Sequence, residues 1–257
     1  MIVLGFDTST PATAIGLRLH DGATVQARDD PAQGERPGHA TRLLPLAAGL
    51  LAQAGLRFAD VERIAVGVGP GTFTGLRIGL ASARGLAQAL DAELVGVSSL
   101  QALALVAANR REAGSMGVVL ALIDARRGEA FAAAYAPVEA PAGDREPSPP
   151  RELAPPRALA PARFEEILEE AAMAGGNDLP GWVAVGNGAT LYRDALHALK
   201  IGVPAEDSPL HRVSGEAICA LGSVGAAQAI DTVLPDYRRR PDAELALEHA
   251  TGAGAGA

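Results

Sequence analysis

The segment Gly69-Pro-Gly-Thr-Phe-Thr-Gly75-Leu-Arg77 holds the densest set of residues with chemical potential in the chain. It follows an apolar run, Ile64–Val68, and precedes a helical pattern. A glycine-rich loop in that place can turn backbone N–H groups toward an anion at a helix N-terminus. The familiar phosphate loops do not fit it. A P-loop needs Gly-x4-Gly-Lys before Ser or Thr, whereas Gly69 and Gly75 enclose five residues and lead into Leu76-Arg77, with no lysine. A dinucleotide fingerprint fails too, because Gly67-x-Gly69 has Thr72 where the third glycine belongs. The alternative is that these glycines only make the turn and let the helix approach its neighbour.

Asp7-Thr8-Ser9-Thr10, directly after the first apolar run, offers a carboxylate and hydroxyls where a sugar-kinase or actin-like fold holds Mg2+ and phosphate. Asx and Ser turn chemistry is the plainer account. Asp7, Thr8, Ser9, Gly69, Gly71 and Thr74 are therefore carried forward as candidate vestigial phosphate loops, with no catalytic residue and no metal ligand assigned. Gly96-Val-Ser98-Ser99-Leu100 lacks the second glycine of a nucleophile elbow, and histidines 20, 39, 197, 211 and 249 form no HExxH pattern. His39 is followed four residues on by Leu43, so no two-histidine helical metal pair exists, and a solvated cap is the expectation for it. Asp124-Ala-Arg126-Arg127-Gly128-Glu129 gathers charge at a hairpin tip and reads as a solvated turn.

The elements that must position these residues follow from hydrophobic periodicity. Ile2–Phe6, Ala14–Leu19 and Thr24–Arg28 read as a meander of strands, the last two joined at Asp21-Gly22. A first helix starts near Gly38, with Leu43, Leu46 and Leu50 on one stripe and Leu44, Ala48 and Leu51 on a second. A second helix runs from about Gly75 to Leu90, and its Gly75, Gly79, Ala83 and Ala87 form one ridge of small side chains flanked by Leu76, Leu80, Leu86 and Leu90. Such a ridge admits a partner helix or simply the chain's own core; the partner option makes Leu43, Leu46, Leu50, Leu76, Gly79, Leu80, Ala83 and Ala87 candidate partner-binding residues. Leu94–Val97 is a strand, and Ser98 or Ser99 can cap a helix toward Asn109.

Beyond a boundary near 110–117, Val118–Asp124 and Glu129–Tyr135 predict a hairpin opening a second subdomain. Residues 137–161 contain 8 of the 18 prolines and predict an irregular connector. Phe164–Ala174 predicts a helix, Trp182–Val185 a strand, Ala189–Leu199 a helix, and Ser214–Ala229 a long final helix capped by Ser214. The expected domains are 1–109 with 214–240, then 110–213, with a disordered Gly/Ala-rich tail at 241–257. Strands followed by alternating strand and helix give an α/β class with mixed sheets flanked by helices.

Composition bounds the chemistry. The single Cys219 excludes a disulfide framework and multi-cysteine metal sites, pointing to a reducing, cytoplasmic address. The N-terminus does not fit a secretory signal, and the longest apolar stretch, Leu43–Leu56, is too short to span a bilayer, so no membrane association is expected. A net charge of −8 argues against an electrostatic cradle for nucleic acid on this chain alone. Of 22 basic residues only Lys200 is lysine, which reads as codon bias.

With these residues in place, the chain resembles the bacterial TsaB family, the dimerisation subunit of the tRNA threonylcarbamoyladenosine machinery. The resemblance rests on Ile2-Val-Leu-Gly-Phe-Asp7-Thr-Ser-Thr10, His39-Ala-Thr-Arg-Leu-Leu-Pro45, Gly69-Pro-Gly-Thr-Phe-Thr-Gly-Leu-Arg-Ile-Gly79 and Arg84-Gly-Leu-Ala87. Val97-Ser-Ser-Leu-Gln-Ala102, Asp124-Ala-Arg-Arg-Gly-Glu129 and Pro235-Asp-Tyr-Arg238 extend it; it is dense to about residue 135 and thin between 137 and 209. It implies an actin/sugar-kinase/Hsp70-like (ASKHA) fold with two related subdomains. It also implies a subunit that does not itself transfer the carbamoyl group. Such a subunit pairs with its paralogue TsaD, works with the ATPase TsaE, homodimerises when alone and meets tRNA only through the complex. No cofactor of its own is implied, and nucleotide only at an interface shared with TsaD. The reaction served is N6-threonylcarbamoylation of the adenosine next to the anticodon in tRNAs reading codons that begin with A. Two rival readings are a nucleotide-dependent ATPase or phosphotransferase of the same fold and a tRNA-binding subunit.

Overall fold

A computed structural model describes residues 1–32, 34–109, 117–136, 148–175 and 181–238. Its first sheet starts from β1 (Val3–Asp7), buried at every position. β2 (Thr13–Arg18) and β3 (Thr24–Asp29) fold back as an antiparallel meander. α1 (His39–Gln53) then crosses the sheet so that β4 (Arg63–Gly69) lies parallel to β1, and α2 (Phe73–Leu90) repeats the move for β5 (Glu93–Ser98) beside β4. Parallel neighbours require such crossovers, since a tight hairpin joins only antiparallel strands. The resulting order is β3-β2-β1-β4-β5.

After α3 (Ser99–Asn109) the chain runs the same course again. β6 (Val118–Arg126), β7 (Glu129–Tyr135) and β8 (Glu152–Leu159) make an antiparallel meander, α4 (Phe164–Met173) follows, and β9 (Trp182–Val185) lies parallel to β6. The order β8-β7-β6-β9 reproduces the first four strands of the first sheet. This is the mixed-sheet α/β architecture with two related halves that the resemblance implies. α5 (Asn187–Leu191), α6 (Arg193–Ala198) and α7 (Gly215–Val224) complete the described elements.

Strand alternation divides the first sheet's side chains between two cores. Leu4, Phe6, Ile15, Ile64 and Val66 meet Leu43, Leu50, Leu80 and Ala83 of α1 and α2. Val3, Ala65 and Val95, one residue out of step, meet α7 and α3, and α3 also joins Val119, Ile123 and Phe131 of the second sheet. α7 lies so close to the strands that a Cβ on Gly5 would stand 2.7 Å from Cys219 Sγ. Burial there pushes the Cys219 thiol up to about 12.

Three expectations change. The final helix stops at Val224 instead of Ala229, because Arg63 Nη1 donates to the carbonyls of Gly222 (2.9 Å), Ser223 (2.9 Å) and Gly225 (3.1 Å) and closes its end. The expected helix 189–199 is two pieces separated at Tyr192. The proline-rich stretch includes a regular strand, β8, despite Pro155 and Pro156. It is an edge strand, and its pairing with β7 shifts register around those prolines, where missing N–H groups break no central ladder. Residues 110–116, 137–147 and 241–257, which carry the predicted boundary, the first part of the connector and the tail, lie outside the described residues. No helix among the described residues is long and apolar enough to cross a membrane.

Candidate functional site

The turn after β1 is a closed polar knot. Asp7 is 1% exposed. Its Oδ1 accepts from Ser9 N (2.9 Å) and Ser9 Oγ (2.6 Å), and its Oδ2 accepts from Ser99 Oγ (2.5 Å) at the start of α3. Thr8 Oγ1 donates to Gly75 O (2.7 Å), and Thr72 N donates to Ser9 O (2.7 Å). The buried carboxylate is thus met by three donors of this chain, as an ion removed from water requires.

The glycines of the loop explain themselves around this knot. A Cβ on Gly67 would strike the Asp7 carboxylate, on Gly71 the Ser9 carbonyl, on Gly75 the Thr8 carbonyl, and on Gly79 the Thr8 hydroxyl. Four glycines at four-residue spacing therefore wrap the loop and the first turns of α2 about residues 7–9. Of the candidate phosphate-loop residues, Asp7, Thr8, Ser9 and Gly71 are brought together; Gly69 (φ 102°, with a cis peptide to Pro70) supports the turn, and Thr74 is exposed. Both carboxylate oxygens of the buried Asp7 are engaged by Ser9 and Ser99. Among the described residues no group of three or more His, Cys, Asp or Glu side chains could hold a metal.

His39 is not a solvated cap. It is 2% exposed, with Nδ1 2.9 Å from Thr13 Oγ1, because α1 begins against β2. Burial lowers its pKa, against the raising pull of Asp7 and Asp29. At the second hairpin tip, Asp124 Oδ1 accepts from Arg126 N (2.7 Å), and Arg126 and Arg127 turn through φ of 63° and 55°. Asn187 Oδ1 accepts from Asp124 N (3.1 Å), so this tip is a turn tied to α5.

The candidate partner-binding residues require a correction. Leu43, Leu50, Leu76, Gly79, Leu80, Ala83 and Ala87 are buried within the chain itself, and only Leu46 is partly exposed. The small ridge of α2 faces residues 7–9 and the sheet, so the own-core option holds for it. The outward faces are different residues: Leu44, Pro45, Ala48 and Gly49 on α1, and Arg77, Ala81, Gly85 and Gln88 on α2. Gly49 and Gly85 sit inside these helices with nothing within 4 Å of a Cβ position. Helix-interior glycine costs about 0.5–1 kcal/mol relative to alanine. No contact among the described residues requires either one. The second apolar stripe of the first helix was the sequence signal for this face; on α2 nothing in the spacing separates Gly79 from Gly85.

A strap, residues 226–238, runs from α7 across the edge of β5 onto α2. Gln228 N donates to Leu94 O (2.8 Å) and Gly96 N to Gln228 Oε1 (2.9 Å). Arg84 Nη2 donates to Val233 O (2.6 Å), and Asp236 N to Val68 O (2.8 Å). Tyr237 stacks on Phe73 at 5.1 Å and accepts from Arg77 Nε (3.1 Å), while the Arg77 guanidinium lies 3.7 Å over the Phe73 ring. Leu234 and Tyr237 remain exposed beside α2.

Comparison with known proteins places this arrangement in context. Residues 34–245 match the family described as "TsaD: tRNA N6-adenosine threonylcarbamoyltransferase". The tRNA threonylcarbamoyladenosine biosynthesis protein TsaB of Escherichia coli is 39% identical over 135 residues, 52% of this chain and 55% of that protein. Its Bacillus subtilis counterpart is 33% identical over the same shares. The chain spans about half the length of these relatives. A solved Pseudomonas aeruginosa structure described as similar to peptidase YEAZ superposes with a TM-score of 0.69 at 28% identity, covering 93% of this chain and 99% of that one. A second, YeaZ from Pseudomonas aeruginosa, gives 0.66 at 26%, covering 92% and 99%.

Proposed function

The chain belongs to the tRNA N6-adenosine threonylcarbamoyltransferase (TsaD) family as a TsaB-like member, and from that premise we propose that it serves tRNA threonylcarbamoyladenosine biosynthesis as a non-catalytic scaffold. It pairs with TsaD through the outward faces of α1 and α2 and supports the transferase without carrying the carbamoyl transfer. TsaE joins that assembly, tRNA is met through it, and a second copy of the chain uses the same helices when TsaD is missing. Any nucleotide belongs to the partner or to the interface shared with it.

The observation that carries this reading is the division of the glycines. Those at 67, 71, 75 and 79 are required by close contact with residues 7–9 of the chain's own turn, while those at 49 and 85 leave two helices open to close approach from outside. A small-residue surface lets helix backbones pack at short distance.

Co-purification with TsaD followed by size measurement tests the pairing. We expect a stable complex that Gly85→Leu weakens by about tenfold or more, through overpacking worth about 1–3 kcal/mol, with the monomer still folded. A complex indifferent to both Gly85→Leu and Gly49→Leu overturns the assignment. ATP turnover by the chain alone that disappears in Asp7→Ala would instead favour the enzyme reading.

A further inference from the structure

The two sheets end in the strands β3, β5, β8 and β9, and three of these are guarded. Gln228 of the strap bonds to β5. On β9, Ala184 N donates to Gly202 O (2.8 Å) and Gly202 N to Trp182 O (3.0 Å). β8 carries Pro155 and Pro156, which lack the N–H that a further strand would use. β3 has no proline, and its charged Arg28 and Asp29 are engaged on the two faces of the sheet by Val213 O and Arg42. Leu19 N donates to Ala23 O (2.8 Å) at the turn, and from there the antiparallel register makes Val25, Ala27 and Asp29 the hydrogen-bonded partners of β2. The main-chain groups of Thr24, Gln26 and Arg28 therefore point outward, and no described residue bonds to them.

Beside this edge lies a hollow of about 480 Å3, lined by Leu105 and Val106 of α3, Ala217 and Ala220 of α7, and Arg28 and Arg212. Arg28 is occupied, since its Nε donates to both oxygens of Asp30 (2.8 Å) and its Nη1 to Val213 O (2.6 Å). Arg212 is 54% exposed, and its one ion pair among the described residues is with the same Asp30, at 4.0 Å. The carboxylate lining the hollow is Glu216, in the first turn of α7, where the helix N-terminus favours it. We infer that β3 is a strand-addition site for an extended segment of another protein, laid antiparallel along the outer edge, with apolar side chains at alternate positions in the hollow and one carboxylate at Arg212. Main-chain bonds to Thr24, Gln26 and Arg28 supply affinity, and alternation supplies selection, because residues paired with these three share their face of the sheet. A second copy fits less well: pairing β3 with itself would set the polar Thr24, Gln26 and Arg28 against the apolar lining. The inference is independent of pairing through α1 and α2.

The test selects binders of the full chain from a random nonapeptide library displayed on phage, then titrates the enriched peptides against variants. Enriched sequences carry Val, Ile, Leu or Phe at every second position, with Asp or Glu on the N-terminal side, the end that antiparallel addition sets beside Arg28 and Arg212. Bound peptide slows hydrogen exchange at the amides of Thr24, Gln26 and Arg28. Gln26→Pro removes an outward N–H while leaving the bonds to β2 intact, so the chain stays folded and binding falls about tenfold or more. Ala220→Phe fills the hollow from a different element and gives a similar loss, and Arg212→Glu abolishes the preference for an acidic residue. The inference is overturned by a library without enrichment, by enriched sequences lacking the two-residue period, or by binding that survives both Gln26→Pro and Ala220→Phe. Self-association of the chain that Gln26→Pro abolishes also overturns it, because the edge then belongs to a second copy.

Discussion

Gly79 and Gly85 lie on the same helix and answer to different neighbours. A side chain on the first would enter the Thr8 hydroxyl; one on the second would meet nothing within 4 Å. The inner face of α2 is therefore a folding surface, shaped by the Asp7–Ser9 knot. The outer face has glycine that the fold does not use. The comparison teaches that a small residue in a helix is evidence of close approach only once its direction is known, and that glycine directed at solvent points outside the chain.

The strongest challenge to this distinction is Gly79→Leu. Driving a branched side chain into Thr8 and Val66 should cost about 3 kcal/mol or more, read from chemical unfolding of the isolated chain. A loss under about 1 kcal/mol would place Gly79 in slack packing and erase the contrast. Next comes Asp7→Ala, which strands the Ser9 and Ser99 hydroxyls and the Ser9 N–H in a buried site. About 2–3 kcal/mol should be lost with little change in the strap, visible as a lowered denaturation midpoint.

Gly85→Ala should change sign, stabilising the monomer by about 0.5–1 kcal/mol because alanine restrains the unfolded chain and nothing opposes its methyl. Destabilisation there would mean the outer face is packed after all. The smallest effect is set by His39. Its folded pKa lies below the ordinary 6.5, so on acidification the unfolded chain takes up the proton first. The associated stability is complete above about pH 6.5 and is lost as pH falls through that value toward the lowered folded one. Melting temperatures at about pH 8 and about pH 5 should show this loss, and His39→Gln should reduce the slope.

Much of the architecture is legible in the sequence because its signals are local. Alternation and turn residues mark the meander of β1, β2 and β3, and Ser214 does cap α7, its Oγ accepting from Ala217 N. What escapes depends on contacts distant in the chain. Arg63 ends α7 from about 160 residues away, a distance that no local periodicity reports. β8 tolerates two prolines only because it lies at an edge, and edge position is a property of the sheet. At the site, Asp7, Thr8 and Ser9 were visible as a polar cluster, but their filling by the glycines at 67–79 required the β1–β4 pairing to be known. The ridge of α2 was visible too; its direction was not, since a four-residue spacing defines a stripe without saying which way it faces.

The strap has one more consequence. β5 is the last strand of the first sheet, and an open strand edge invites pairing with any other extended chain. Gln228 occupies that edge with its own main-chain and side-chain amides, meeting Leu94 O and Gly96 N. A chain truncated before residue 226 would expose these groups, and its molecules could associate strand to strand, leading toward aggregation. The segment that ends beside the docking helices also shields the sheet from this competing mode of assembly.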